Sequence, residues 1–242
     1  MRRTLGPLRR VTDANVITPA PFDERGAWRR YTTADGLAAQ QTEHIVEDGD
    51  GYLWIGSVTG GVSRFDGDEF RTYTTRDGLQ ADGVYSLCVD RSGRLWCGTT
   101  AGLCWLDGDR FRPFEGDSRV AGDGIMYLFE DSRGRVWVRG FHVCGFWDGE
   151  GYTDLAPRME ALTGSQFGTC WGICQDETGA IWLAGPHHPV RWHDGALESI
   201  RLPVDPPRLN SCCLAPHPDG GIWCGVEGRG GVWRAGRLYC WR

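Results

Sequence analysis

A β-propeller of at least five four-stranded antiparallel blades is the fold class that this sequence predicts. Three observations carry it: a pattern recurring every 41 to 45 residues, a tryptophan fixed in each copy, and tight Gly-bearing turns with little room for long helices. The chain has 242 residues, 36 of them Gly and 12 Trp, with ordinary hydrophobic and charged fractions of 40% and 24%.

The copies are DGDGYLWIG (48–56), DRSGRLWCG (90–98), DSRGRVWVR (131–139), DETGAIWLA (176–184) and HPDGGIWCG (217–225), anchored on Trp54, Trp96, Trp137, Trp182 and Trp223. Asp48, Asp90, Asp131 and Asp176 open a turn by accepting nearby backbone N–H groups. Gly51, Gly93, Gly134, Gly179 and Gly220 supply the positive φ that it needs. A buried Trp removes roughly 150–250 Å² from water, an upper bound of about 4–6 kcal/mol at about 25 cal/mol per Å². That marks it as the packing wedge between blades.

The other strands follow from the turn. Before it, Ile45, Leu87, Leu128, Ile173 and Leu214 alternate with Val46, Cys88, Phe129, Cys174 and Ala215. Adjacent strand residues point to opposite faces, so this strand is apolar on both sides and suits the innermost place. A third strand ends in Asp-Gly at 66–67, 107–108, 148–149 and 194–195. A fourth carries Phe70/Tyr73, Phe111/Phe114, Tyr152/Leu155, Leu197/Ile200 and Leu238/Trp241. The repeats span about 43–73, 84–114, 125–155, 170–200 and 210–241, within a propeller region of 22–242. An Arg-containing leader occupies 1–21. Trp28–Tyr31 matches Phe70–Tyr73 and reads as an outer strand without its blade. The two ends do not complement each other, so the expectation is an incomplete arc of a larger ring, with a closed five-bladed ring as the rival.

Charge and composition narrow the function. The basic residues are all Arg, spread along the chain, and the formal net charge is −6, which argues against a nucleic-acid surface. Arg2, Arg3, Arg9 and Arg10 precede no apolar segment, so no signal peptide is visible. No run reaches the roughly 20 apolar residues of a membrane span. Most of the ten Cys fill apolar strand slots: Cys97 and Cys224 replace Ile55, and Cys88 and Cys174 replace Val46. They read as small hydrophobes, a usage that fits a reducing compartment better than an oxidising one.

The run D-x-x-G-x-L-W-I-G, T-G-G-x-x-R-F-D-G and Y-T-T-x-D-G-L over Asp48–Leu79 resembles the two-component regulator propeller repeat. The quoted elements include Thr59-Gly60-Gly61, Arg64-Phe65-Asp66-Gly67 and Asp77-Gly78-Leu79. The likeness extends over about 28–242 and weakens along the chain. Arg139 and Ala184 replace the Gly after Trp, and repeats three to five lose Asp-Gly-Leu. The resemblance implies a sensor region of a histidine kinase or related regulator, often outside the cytoplasm and in several cases recognising carbohydrate breakdown products. Nothing in the chain resembles a kinase or a DNA-binding module, so the output module belongs on another segment. The resemblance points to the periplasm, the chain as written to the cytoplasm.

A ring of near-identical units recognises an asymmetric molecule where the units differ. Five places before the turn, the inner strand carries Glu43, Tyr85, Met126, Trp171 and Cys212, the most variable inner-strand position. The second-to-third strand loops diverge at Phe141-His142, Pro186-His187-His188-Pro189 and Glu227-Gly228-Arg229. Glu43, Tyr85, Trp171, His142, His187, His188, Glu227 and Arg229 are therefore the candidate ligand-binding residues, for a small polar ligand such as an oligosaccharide. Ordinary strand-end packing and solvated loops are the competing readings. His187 and His188 are adjacent and lack a third ligand at a recognised spacing, so no metal or cofactor is expected. The repeated Asp residues recur in register, as turn builders do, and no nucleophile–base–orienter set can be assembled. Asp and Gly stand three apart (Asp90, Gly93), unlike the sialidase-type box with two. Alternatives are a streptogramin-lyase-like enzyme, whose repeat also carries Asp, Gly and Trp, and a protein-binding scaffold.

Overall fold

The computed structural model describes residues 29–164, 172–184, 188–200, 212–226, 229–234 and 237–241. The chain divides into two compact units, Met1–Tyr31 and Thr32–Arg242. In the first, Trp28 lies outside the described residues and residues 29–31 are in no strand; the Arg29 guanidinium stands 4.6 Å from the Tyr31 ring centre.

The second unit carries five four-stranded antiparallel sheets, each built from consecutive strands. The first holds β1 (Thr42–Glu47), β2 (Leu53–Ser57), β3 (Gly61–Phe65) and β4 (Phe70–Tyr73). The second holds β5 (Val84–Val89), β6 (Leu95–Thr99), β7 (Gly102–Asp107) and β8 (Arg110–Pro113). The third holds β9 (Ile125–Glu130), β10 (Val136–Gly140), β11 (Cys144–Trp147) and β12 (Tyr152–Asp154). The fourth holds β13 (Ile173–Gln175), β14 (Ile181–Leu183), β15 (Val190–His193) and β16 (Ala196–Ser199). The fifth holds β17 (Cys212–Pro216), β18 (Ile222–Val226), β19 (Arg229–Arg234) and β20 (Arg237–Trp241). This is the blade architecture of a β-propeller in an open arrangement. The register is common to all five: Val46 faces Trp54, Cys88 faces Trp96, Phe129 faces Trp137, Cys174 faces Trp182 and Ala215 faces Trp223.

Each of the first four wedge tryptophans packs onto the next blade. Trp54 and Tyr73 share a core with Leu87, Cys97, Cys104 and Phe111, and Trp96 and Phe114 share one with Leu128, Val136 and Val138. Trp137 joins Ile173, Ile181, Leu183 and Trp192, and Trp182 joins Ile222 and Cys224. The first four wedges are at most 2% exposed, whereas Trp223 is half-buried. On the opposite face of the first sheet Ile45 is 58% exposed, where its counterparts Leu87, Leu128 and Ile173 are at most 4%. Among the described residues, the faces of Ile45 and of Trp223 are thus less covered than the intervening faces.

The turn aspartate does more than the sequence indicates. In each of the first four blades one carboxylate oxygen accepts two turn amides, as Asp90 Oδ1 does from Ser92 and Arg94. The other accepts the wedge indole: Asp48, Asp90, Asp131 and Asp176 lie 2.7–2.8 Å from the Nε1 of Trp54, Trp96, Trp137 and Trp182. Burial pushes the Asp90 and Asp176 carboxyls up, and these hydrogen bonds override it, holding both below the ordinary value. In the fifth blade His217 replaces the Asp, and its ring lies 4.6 Å from that of Trp223.

Helix is present where the sequence expectation was near-absence. Thr33–Asp35 and Thr75–Asp77 form single 3₁₀ turns, each closed by a reciprocal Thr–Asp cap and a left-handed Gly, Gly36 at φ 102° and Gly78 at φ 99°. A Cβ on Gly78 would sit 2.1 Å from the Phe111 carbonyl, so the Asp-Gly-Leu element docks on the next blade and buries Leu79. The third and fourth blades are entered instead through α1 (Ser118–Gly122), capped by Asp117, and α2 (Ala156–Thr163), which carries Pro157 in its first turn and ends at Gly164. Neither entry has Asp-Gly-Leu, which is lost already after the second repeat. Among the described residues no helix is long and apolar enough to cross a membrane.

Asp131 is 2% exposed and also holds Arg135 through a 2.7 Å ion pair. Asp131→Ala strips acceptors from Trp137, Arg133 and Arg135, and should destabilise the unit by about 3–5 kcal/mol in urea unfolding. A loss under about 1 kcal/mol would show that the indole bond is incidental.

Cys88, Cys97, Cys104, Cys144, Cys174 and Cys224 are free thiols, and all but the half-buried Cys88 are buried. Burial pushes the Cys88 and Cys174 thiols up to about 12 and Cys144 to about 11. Thiolate is the reactive form. These thiols should react with a maleimide only slowly at pH 8 in the native protein and rapidly once it is unfolded, without added reductant. Fast native labelling of these positions by mass spectrometry would contradict this.

Candidate functional site

The inner strands begin with a shared irregularity. Thr42 pairs with Ser57 and His44 with Gly56, leaving Glu43 unpaired; Val84 and Ser86 pair with Thr99 and Gly98, leaving Tyr85 unpaired. Ile125 and Tyr127 likewise pair with Gly140 and Arg139, leaving Met126 unpaired. Each is a bulge, which releases one residue from the ladder and re-aims its side chain. The variable position read from the sequence is therefore a structural position of its own kind. Glu43 is exposed, Tyr85 and Met126 half-buried. The fifth blade departs: Cys212 pairs directly with Val226 and Cys213 with Gly225, so no bulge forms at Cys212.

Beside the bulges the inner strands tie to one another. The His44 Nδ1 accepts the Leu87 amide at 3.2 Å, and the Ser86 hydroxyl accepts the Leu128 amide at 2.9 Å. The rings of His44 and Tyr127, two blades apart, meet edge-on with centroids 6.5 Å apart. Both residues therefore reach toward the space that the inner strands share. Burial lowers the His44 pKa below its ordinary value.

His142 lies in the loop joining β10 to β11. Its Nδ1 stands 3.0 Å from Asp123 Oδ1, while Asp123 Oδ2 accepts the amides of His142 at 2.8 Å and of Val143 at 3.1 Å. The carboxylate is 7% exposed and the imidazole 83%. A buried, fully engaged carboxylate thus orients an exposed ring and leaves its Nε2 toward solvent, able to donate or accept for a ligand. Phe141 beside it is 44% exposed, and its ring lies against Gly124, where a Cβ would come within 2.5 Å.

The ladder pairs Gly140 with Ile125, which puts the loop of His142 at the same end of its blade as Met126. His188 is half-buried ahead of β15, in the equivalent loop of the fourth blade. Arg229 pairs with Val226 at the start of β19. Trp171, His187 and Glu227 lie outside the described residues. Among the described residues no group of His, Cys, Asp and Glu could hold a metal ion.

Three participants were not singled out from the sequence. Asp123 lacks any repeat signature that sets it apart. His44 sits one residue from the variable position. Arg139 replaces a Gly whose counterpart Gly98 could take no Cβ, since Ile125 of the next blade would lie 2.8 Å away. Yet Arg139 is 1% exposed, paired in the ladder with Tyr127 and Cys144. The lost Gly was the only signal for it.

Residues 78–101 match the two component regulator propeller family. No curated protein matches the chain by sequence. Among solved structures the chain is similar to the extracellular domain of a B. thetaiotaomicron protein described as a hybrid two-component system, with 20% identity and TM-score 0.68, covering 83% of this chain and 27% of that one. It is also similar to a catalytically inactive His-to-Ala variant of virginiamycin B lyase from Staphylococcus aureus with quinupristin, at 14% identity and TM-score 0.62, covering 82% and 69%. A gluconolactonase from Xanthomonas campestris matches at 14% identity and TM-score 0.52, covering 83% and 75%. The chain spans little more than a quarter of the length of the two-component extracellular domains that it resembles.

The His44 environment has a pH consequence. Its folded pKa is depressed, so it favours the folded state above its unfolded value of about 6.5, and this stabilisation is lost as pH falls through the folded pKa. The melting temperature should drop between pH 7.5 and 5, and His44→Gln should flatten that drop. Identical profiles for the two proteins would remove His44 as its source.

Proposed function

We propose that residues 32–242 are a ligand-sensing propeller module of a two-component-type system, recognising a small polar ligand such as a carbohydrate fragment. The observation that carries this reading is the row of bulged residues, Glu43 and Tyr85 in neighbouring blades, together with the exposed imidazole of His142 held by buried Asp123. Tyr85 offers a ring to a sugar, Glu43 an exposed carboxylate, and His142 an imidazole oriented by Asp123. Trp171, His187, Glu227 and Arg229 complete the proposed set from the sequence, and His188 stands in the fourth blade's equivalent loop. The family match over 78–101 and the likeness to two-component extracellular domains support a sensing role. The output module, a histidine kinase or a related regulator, then resides on a separate segment or chain.

The Asp123–His142 pair favours one second reading, an enzyme of the lyase type, because the similar Staphylococcus aureus lyase is inactive as a His-to-Ala variant. An oriented imidazole serves proton transfer as well as binding.

A calorimetric screen of oligosaccharides against the whole chain separates the two. Binding without turnover, weakened about tenfold or ~1.4 kcal/mol by Tyr85→Ala and by His142→Ala, is the expected result. Affinity unchanged in both variants would place the site elsewhere. Product formation lost in His142→Ala would assign catalysis.

A further inference from the structure

In each of the first three blades the wedge tryptophan is flanked by one guanidinium and one aromatic ring on adjacent strands. Arg64 lies 4.4 Å from the Tyr52 ring centre, Arg94 lies 4.4 Å from Trp105, and Arg135 lies 4.8 Å from Phe146. Two sequence positions share this work: the one two residues before the wedge (Tyr52, Arg94, Arg135) and the one opposite it (Arg64, Trp105, Phe146). The Arg and the ring exchange places between blades, but both are present.

The fourth blade keeps the guanidinium and loses the ring. Opposite Trp182 stands Arg191, and two residues before Trp182 stands Ala180. Arg191 reaches back to Thr178, with Nη2 3.4 Å from Oγ1, while its Nε is 3.8 Å from Asp176 and its Nη1 3.8 Å from Glu198. Among the described residues no ring lies over it. Instead a cavity of about 430 Å³ opens between the fourth and fifth blades, within the size range of small-molecule sites. Trp182 and Trp233 wall it, their rings 6.4 Å apart, and Glu177 fixes its edge by accepting the Gly221 amide of the next blade at 2.9 Å. Asp176, Glu177, Glu198 and Asp219 line it against only Arg191 and Arg234.

We propose that this groove is a second binding site, separate from the bulged inner-strand surface, for a small aromatic cation. The ligand's ring stacks on the Arg191 guanidinium from within the cavity, the kind of contact that Tyr52, Trp105 and Phe146 supply in the earlier blades. Its ammonium group meets the excess of carboxylates, chiefly the exposed Glu198 and Asp219. The guanidinium stays compatible with a cationic ligand because Asp176 and Glu198 already face it.

The test uses tyramine, with neutral 4-ethylphenol as its uncharged counterpart, titrated against the full chain by NMR. Saturable tyramine binding is expected in the wild type. Glu198→Gln, at a side chain 63% exposed, cannot unfold the blade and should weaken tyramine at least threefold while leaving 4-ethylphenol unchanged. Arg191→Gln removes the stacking cation and should weaken both probes at least threefold while the protein still melts cooperatively. His142→Ala should leave tyramine binding untouched, so the groove stands or falls apart from the sugar-sensing reading. No saturable binding up to millimolar tyramine, or equal weakening of both probes by Glu198→Gln, overturns the proposal, and so does full affinity for both probes in a folded Arg191→Gln protein.

Discussion

One hydrogen bond, from the wedge indole to the turn aspartate, organises each of the first four blades. The carboxylate closes the turn between first and second strands with one oxygen and fixes the indole with the other. Turn geometry and wedge direction are thereby the same constraint. With the indole held, its flat face meets the aliphatic residues of the next blade at a constant angle, and stacking can propagate. The Arg and ring beside each of the first three wedges then thicken the same layer. In the fifth blade His217 stands in place of the Asp, accepts the Asp219 amide and lays its ring against Trp223, the least buried wedge.

Most of this was legible in the sequence because it repeats. Trp54, Trp96, Trp137, Trp182 and Trp223 gave the period, and all five stand at the second position of their second strands. The Asp–Trp bond was not legible, since an Asp six residues before a Trp is fully accounted for by its turn. The two short helices were missed for a related reason. Once Asp-Gly-Leu is lost, an entry loop has no shared pattern, and Asp117 or a Leu-Ala-Pro start is a local signal that the period hides.

The candidate site was half legible. Variation at Glu43, Tyr85 and Met126 could be seen, but not its cause, because a bulge is a fact about pairing across strands. His142 could be named as a divergent loop residue. Its partner Asp123 is nineteen residues away in another loop, and only the fold brings the two together. Arg139 is the clearest case of a departure read correctly and interpreted too weakly. A charged residue at a position where Gly56 and Gly98 leave no room for a Cβ signals a rebuilt junction.

The bulges also bear on how such a chain can change over generations. A ladder residue is answerable to its partner strand, so its replacement is felt as lost stability. A residue left out of the ladder carries no such obligation, and selection can exchange Glu for Tyr or Met there while the wedge, the turn and the core stay untouched. Each blade that has a bulge therefore contributes one nearly independent letter to the surface it shares with its neighbours. A propeller of this kind can diversify what it meets at little risk to its folding, much as antibody loops vary above a constant framework.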